Sequence, residues 1–158
     1  MVQHVDPRHR SLMAEILAKR TAMPVKEAAA GDRIRPGHVY IAPPNRHLLV
    51  NSDGTLELTQ TELVHFVRPS ADLLFESAAA AYGERAIAVV LSGSGKDGSM
   101  GVKAIRKTGG TVIVQDTHNA EFPGMPGAAM ATGMVDFVLP LDDIAPALRT
   151  LCAVPAAR

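Results

Sequence analysis

From Ala86 to Gly101 the chain reads Ala-Ile-Ala-Val-Val-Leu-Ser-Gly-Ser-Gly-Lys-Asp-Gly-Ser-Met-Gly, an apolar run that breaks into a glycine-rich turn carrying one carboxylate, Asp97. An apolar run ended by glycine is a buried strand, and Met100, Val102 and Ile105 follow at helix-like intervals. The turn therefore sits at a strand's carboxyl end, where ligands and reactive groups gather in open α/β sheets. Its glycines leave backbone N–H groups accessible beside a helix N-terminus. Two chemistries compete for this turn. Gly93, Gly95 and Gly98 satisfy G-x-G-x-x-G and Asp116 follows the next strand, which is the spacing of a dinucleotide-binding fingerprint. Against that, Asp97 would set a carboxylate where a pyrophosphate approaches, and like charges repel there. The turn also lacks the G-K-[ST] ending of a P-loop.

The elements that must position this turn can be read on either side of it. Asp6 followed by Pro7 predicts a helix start, with Leu12, Met13, Ile16 and Leu17 forming an apolar face until Pro24. From Val25 to Thr59 the pattern predicts a small antiparallel insertion with strands at 39–42, 48–51 and 56–59, the last two joined through Ser52-Asp53-Gly54. Ser70 caps a second helix that runs to Tyr82 and stops at Gly83. Its four consecutive alanines, Ala78 to Ala81, suit close packing on a sheet. After the helix that ends near Thr108, a strand at 111–115 implies parallel pairing through a right-handed crossover. A helix from Pro126 to about Gly133, a strand at 135–139 and a helix at 144–151 around Pro146 complete the chain, with Asp142 and Asp143 an acidic helix start. The fold class expected is α/β, a doubly wound, mostly parallel sheet with helices on both faces and a small antiparallel hairpin insertion.

Composition narrows the function. The 158 residues suit one domain, and 16 Lys plus Arg against 16 Asp plus Glu leave no net charge to favour nucleic acid or an anionic membrane. No apolar run reaches the ~20 residues of a membrane span, and no signal-peptide core opens the chain, so a cytoplasmic location is expected. Cys152 stands alone and excludes an intramolecular disulfide; it is expected to be a packing residue. His9, His38, His47, His65 and His118 show no metal-ligand spacing with carboxylates, and neither metal nor cofactor is expected. Arg68 is expected to hold a loop carboxylate, with contact to substrate as the alternative; Met125 and Met130 are expected to line the core or a cleft, and the Phe122 to Pro126 block either to border the substrate cleft or to stiffen its loop.

Five separated blocks add a resemblance. Gln3-His4-Val5-Asp6-Pro7, Gly37-His-Val-Tyr-Ile-Ala-Pro-Pro44, Arg68-Pro-Ser-Ala-Asp72, Leu91-Ser-Gly-Ser-Gly-Lys-Asp-Gly98 and Phe122-Pro-Gly-Met-Pro126 resemble, in order, the signature segments of the chemotaxis protein-glutamate methylesterase (CheB) catalytic domain. The resemblance covers almost the whole chain, and a single catalytic domain over residues 1–158, with no receiver domain, is expected. It implies hydrolysis of glutamyl methyl esters on the cytoplasmic domain of methylated chemoreceptors, with glutamine deamidation in some members, by a Ser-His-Asp triad. It also implies a response-regulator receiver domain as a possible separate partner, and a phosphorelay setting. By matching blocks, His4 takes the general-base position and Asp97 that of the carboxylate that orients it. Ser94 falls where a Gly-Met-Gly turn supplies a backbone N–H to the oxyanion hole, and a backbone donor does not depend on the side chain. The family's nucleophilic serine lies ahead of the histidine block, so the resemblance implies no nucleophile within this chain and a first strand-helix segment lacking. Ser11, Ser70, Ser92, Ser94 and Ser99 match other blocks or none. The competing expectation is a non-catalytic module that binds receptor or partner.

Overall fold

The structure, a computed structural model, describes residues 1–153. Its elements in chain order are α1 (Met13–Ala18), β1 (Val25–Glu27), β2 (Val39–Ile41), β3 (His47–Val50), β4 (Leu56–Thr59), α2 (Ala71–Tyr82), a 3-10 turn (Gly83–Arg85), β5 (Ile87–Val90), α3 (Ser99–Lys107), β6 (Thr111–Gln115), α4 (Gly124–Met130), β7 (Phe137–Leu139) and α5 (Leu141–Ala153). The protein is α/β with mostly parallel strands. β5, β6 and β7 form one parallel ladder in that order, β1 and β2 a second parallel pair, and β3 and β4 the antiparallel hairpin.

β5 and β6 are apolar in nearly every residue because both faces are covered, as parallel strands require. Ala88, Val90, Val112 and Val114 meet Val102 and Ile105 of α3, Ala79 of α2 and Ala129 of α4 in the main core. A second core gathers Ala28, Ala42, Leu48 and Leu56 under the hairpin. Helix α2 joins the two. Phe75, Ala78 and Tyr82 pack on the main core while Leu74 packs on the hairpin core. Its N-terminus is thereby fixed from both sides. Helix α3 comes close enough to α2 that a Cβ on Gly101 would lie 2.6 Å from Phe75 Cβ, so only glycine permits this approach.

Several sequence expectations need correction. The first helix begins at Met13 rather than after Asp6, whose carboxylate accepts the Arg8 N–H and its guanidinium in a local turn. The side chain that would have capped a helix is thus satisfied two residues on. The Ser11 hydroxyl accepts the Met13 N–H instead, and the anticipated apolar face stays open, with Leu12 and Ile16 both exposed. The segment after Val25 is not wholly antiparallel. Val25, Lys26 and Glu27 pair in parallel with Val39, Tyr40 and Ile41, a strand too short and too polar to declare itself in the pattern. The helix expected from Pro126 begins at Gly124 and ends at Met130, and the last helix starts at Leu141. Cys152 is exposed and not packed.

Candidate active site

Asp97 is 2% exposed, and its carboxylate is the meeting point of three segments distant in sequence. The turn that carries it is bent by Gly95 and Gly98, at φ of +83° and +95°, a backbone region that suits glycine. Its side chain faces the start of α2. Oδ2 accepts the Ala71 N–H at 2.6 Å, while Oδ1 accepts the Asp72 N–H at 3.1 Å and the Ser70 hydroxyl at 2.8 Å. The His4 ring closes the set, its Nε2 lying 2.7 Å from Oδ2. A negative charge here complements both the orphan N–H groups and the positive end of the helix dipole. Burial by itself pushes the Asp97 carboxyl up, but the hydrogen bonds from His4, Ala71, Ser70 and Asp72 together outweigh it and hold the carboxyl below its ordinary value. It is ionised at neutral pH.

That arrangement revises the role of Ser70. Ser70 does sit at the N-cap with extended backbone, yet its hydroxyl makes no cap bond to its own helix. Asp97 caps the helix from a distance, and Ser70 spends its proton on Asp97. Ser70 is held in turn by His47, a fully buried imidazole whose Nδ1 accepts the Ser70 N–H at 3.1 Å while Nε2 bonds the Glu62 carbonyl at 2.9 Å. These contacts define a neutral tautomer with the proton on Nε2. Nothing in the sequence singled out His47, because its partners are backbone groups.

A second buried carboxylate lies beside the first. Asp72 accepts the Gly101 N–H at 2.7 Å through Oδ1, and its Oδ2 is 3.2 Å from His65 Nε2. Burial raises its carboxyl above the ordinary value; the Gly101 N–H opposes the shift and the Asp97 charge adds to it.

With Nε2 of His4 engaged by Asp97, Nδ1 is the nitrogen left to take a proton. The ring retains 28% of its side-chain exposure and opens on a cleft of about 210 Å³, whose lining includes Asn45, Leu63, Phe66 and Arg68. Among the described residues Arg68 holds no carboxylate. Its Nε and Nη2 both donate to Asn45 Oδ1, at 2.9 and 2.7 Å, and Nη1 donates to the Thr61 carbonyl at 2.7 Å. Ser94 is exposed, and its N–H has no hydrogen-bond partner among the described residues. The turn around it is clamped from the Phe122 loop: Gly93 N–H donates to the Phe122 carbonyl and Met125 N–H to the Gly93 carbonyl, both at 2.8 Å. Met125 also packs on the main core, whereas Met130 is partly exposed. Among the described residues no serine hydroxyl hydrogen-bonds His4, whose ring is engaged by Asp97. Asp116 forms a local surface pair with His118, and Asp97 is turned inward, so the glycine spacing serves the carboxylate and not a pyrophosphate.

A buried carboxylate holding an imidazole beside a cleft, at the end of a parallel strand of an α/β domain, is an arrangement that can move a proton. The comparisons with known proteins agree with that fold class. The family profile described as CheB methylesterase matches residues 1–148, and the chain belongs to this family. It is 45% identical over 148 residues to the protein-glutamate methylesterase/protein-glutamine glutaminase 1 of Rhodospirillum rubrum, covering 92% of this chain and 38% of that protein. It is 42% identical over 145 residues to a putative protein of the same description from Leptospira interrogans, covering 92% of this chain and 75% of that one. The chain thus spans well under half of the first relative. The crystal structure of the Thermotoga maritima CheB methylesterase catalytic domain superposes with a TM-score of 0.90 at 37% identity, over 95% of this chain and 81% of that one.

Proposed function

We propose that this chain carries the base and carboxylate of a protein-glutamate methylesterase site, acting in the cytoplasm on glutamyl methyl esters, and on glutamines, of chemoreceptor cytoplasmic domains. The observation that carries the reading is the 2.7 Å contact between His4 Nε2 and the buried Asp97 carboxylate. The nucleophile is a serine that these residues do not contain. In the reaction its hydroxyl gives its proton to His4 Nδ1 as the oxygen attacks the ester carbonyl. Asp97 holds the ring and stabilises the imidazolium that results. The negative charge on the former carbonyl oxygen falls to backbone donors, among them the unpaired Ser94 N–H. His4 then returns the proton to the departing methoxide, methanol leaves, and water repeats the cycle on the acyl-serine to release glutamate. A receiver domain on a separate chain would fit the same pathway as regulator.

The test is methanol release from a methylated receptor, by this chain alone and by the chain joined to a serine-bearing glycine turn ahead of the His4 block. Release that depends on the joined segment supports the reading. Equal release from both would overturn the assignment of the nucleophile. No release from either, with receptor binding retained, would favour a non-catalytic binding module.

A further inference from the structure

Arg68 is the one charged side chain in the His4 cleft whose charge the proposed reaction leaves unused. Its guanidinium is placed by neutral acceptors alone, the Asn45 side chain and the Gln60 and Thr61 carbonyls. Asn45, at φ +59°, accepts two of the Arg68 donors on its Oδ1. Like Arg20, Arg33, Arg35, Arg46, Arg85 and Arg149, Arg68 forms no ion pair among the described residues; what sets it apart is that Nε, Nη1 and Nη2 are all held by neutral acceptors beside the His4 cleft. A partly buried cation that is oriented but not neutralised, lining a cleft with the reacting imidazole, is a preorganised anion site. The rim beside it is apolar and proud of the surface. Val64 and Val67 bridge across a turn whose central residues, His65 and Phe66, both have positive φ, at 49° and 65°. His65 Nε2 lies 3.2 Å from Asp72 Oδ2, while Phe66 is 94% exposed and Leu63 54%.

We infer that Arg68 is a specificity residue that reads a carboxylate adjoining the reacting group on the substrate protein, with Leu63 and Phe66 covering the apolar surface beside that carboxylate. The inference rests on the esterase reading above. Two carboxylates could meet Arg68, a neighbouring acidic side chain or the glutamate that hydrolysis produces. The first is favoured because the ester is neutral: an arginine reserved for the new carboxylate would hold product more tightly than substrate and slow its departure.

Binding of three synthetic helical peptides to the whole chain tests this. In the first, a glutamyl γ-N-methylamide stands for the ester and is flanked by glutamate. In the second the flanks are glutamine, and in the third a free glutamate with glutamine flanks stands for product. The acid-flanked amide is expected to bind about tenfold more tightly than the neutral-flanked one at low salt, with the gap closing as ionic strength rises. Arg68→Gln abolishes that preference, whereas Arg68→Lys, which keeps the charge without the fork, retains part of it. A purely structural arginine would give variants that weaken both amide peptides alike, and an unchanged ratio would overturn the inference. Tightest binding of the free-glutamate peptide would assign Arg68 to product instead and also overturn it. Failure of every peptide to bind would remove the substrate reading on which the inference stands.

Discussion

Replacing Asp97 by asparagine keeps the side chain's size and exchanges one acceptor oxygen for an amide donor, which faces the Ala71 N–H if it takes the Oδ2 position and the Asp72 N–H if it takes the Oδ1 position. Two consequences follow at this one residue. In the serine-joined protein, methanol release should fall by about 10⁴, because the carboxylate that fixes the His4 tautomer and stabilises its charge is gone. The fold should also lose about 2–4 kcal/mol in urea denaturation, since a buried backbone N–H at the start of α2 is left facing another donor and the charge that complements the helix N-terminus is gone. Ser70→Ala is milder. It removes one hydrogen bond to Asp97, so the Asp97 carboxyl should rise toward its ordinary value at a cost of about 1 kcal/mol. A carbon-13 NMR titration of the Asp97 carboxyl should show its midpoint move up toward the ordinary value, and a midpoint that stays in place would separate Ser70 from the carboxylate.

The elements bring these residues together through close backbone approaches, and the glycines show where the tolerance ends. A Cβ at Gly101 would lie 2.6 Å from Phe75 Cβ and 3.1 Å from Asp72 Cα, so Gly101→Ala must push α3 away from the helix that Asp97 caps. A loss of about 1–3 kcal/mol is expected from thermal or urea melts. At Gly93 the same added carbon would meet chiefly the Met125 sulfur, the flexible end of a side chain, and Gly93→Ala should cost clearly less. Equal costs at the two sites would refute this view of the α2–α3 contact. Much of the element order was legible because β5 and β6 are short apolar runs bounded by glycine or polar turns and α3 repeats with the period of a helix. The start of α2 was legible too, through Ser70, but not the identity of its cap. Asp97 comes from a turn 26 residues away from Ala71, and a cap supplied across the fold leaves no local pattern. His47 escaped for the same reason. The Asp6-Pro7 pair misled because an aspartate serves a short turn as readily as a helix start. The pairing of His4 with Asp97 was legible only through the resemblance of separated blocks, since no periodicity links residues 93 positions apart.

Across the whole molecule the two buried carboxylates work against each other in acid. Asp97 is held below its ordinary value, so it stabilises the fold above the unfolded carboxyl range near pH ~4, and that contribution is lost as pH falls through its folded value. Asp72 is raised by burial, so the folded state binds its proton first, and stability falls as pH rises through its folded value. Glu76, raised by burial and then by the Asp72 charge, adds the same sign. Urea midpoints measured downward from pH 7 should therefore climb slightly before they collapse below about pH 4. A monotonic decline from neutrality would mean that the burial of Asp72 is compensated. The central claim is that His4 is the base of a hydrolytic site whose carboxylate is Asp97, and the rate of methanol release from methylated receptor by the serine-joined His4→Ala protein tests it most directly. Release should drop to the level of the chain without the serine, and turnover at the rate of the unsubstituted protein would contradict the account.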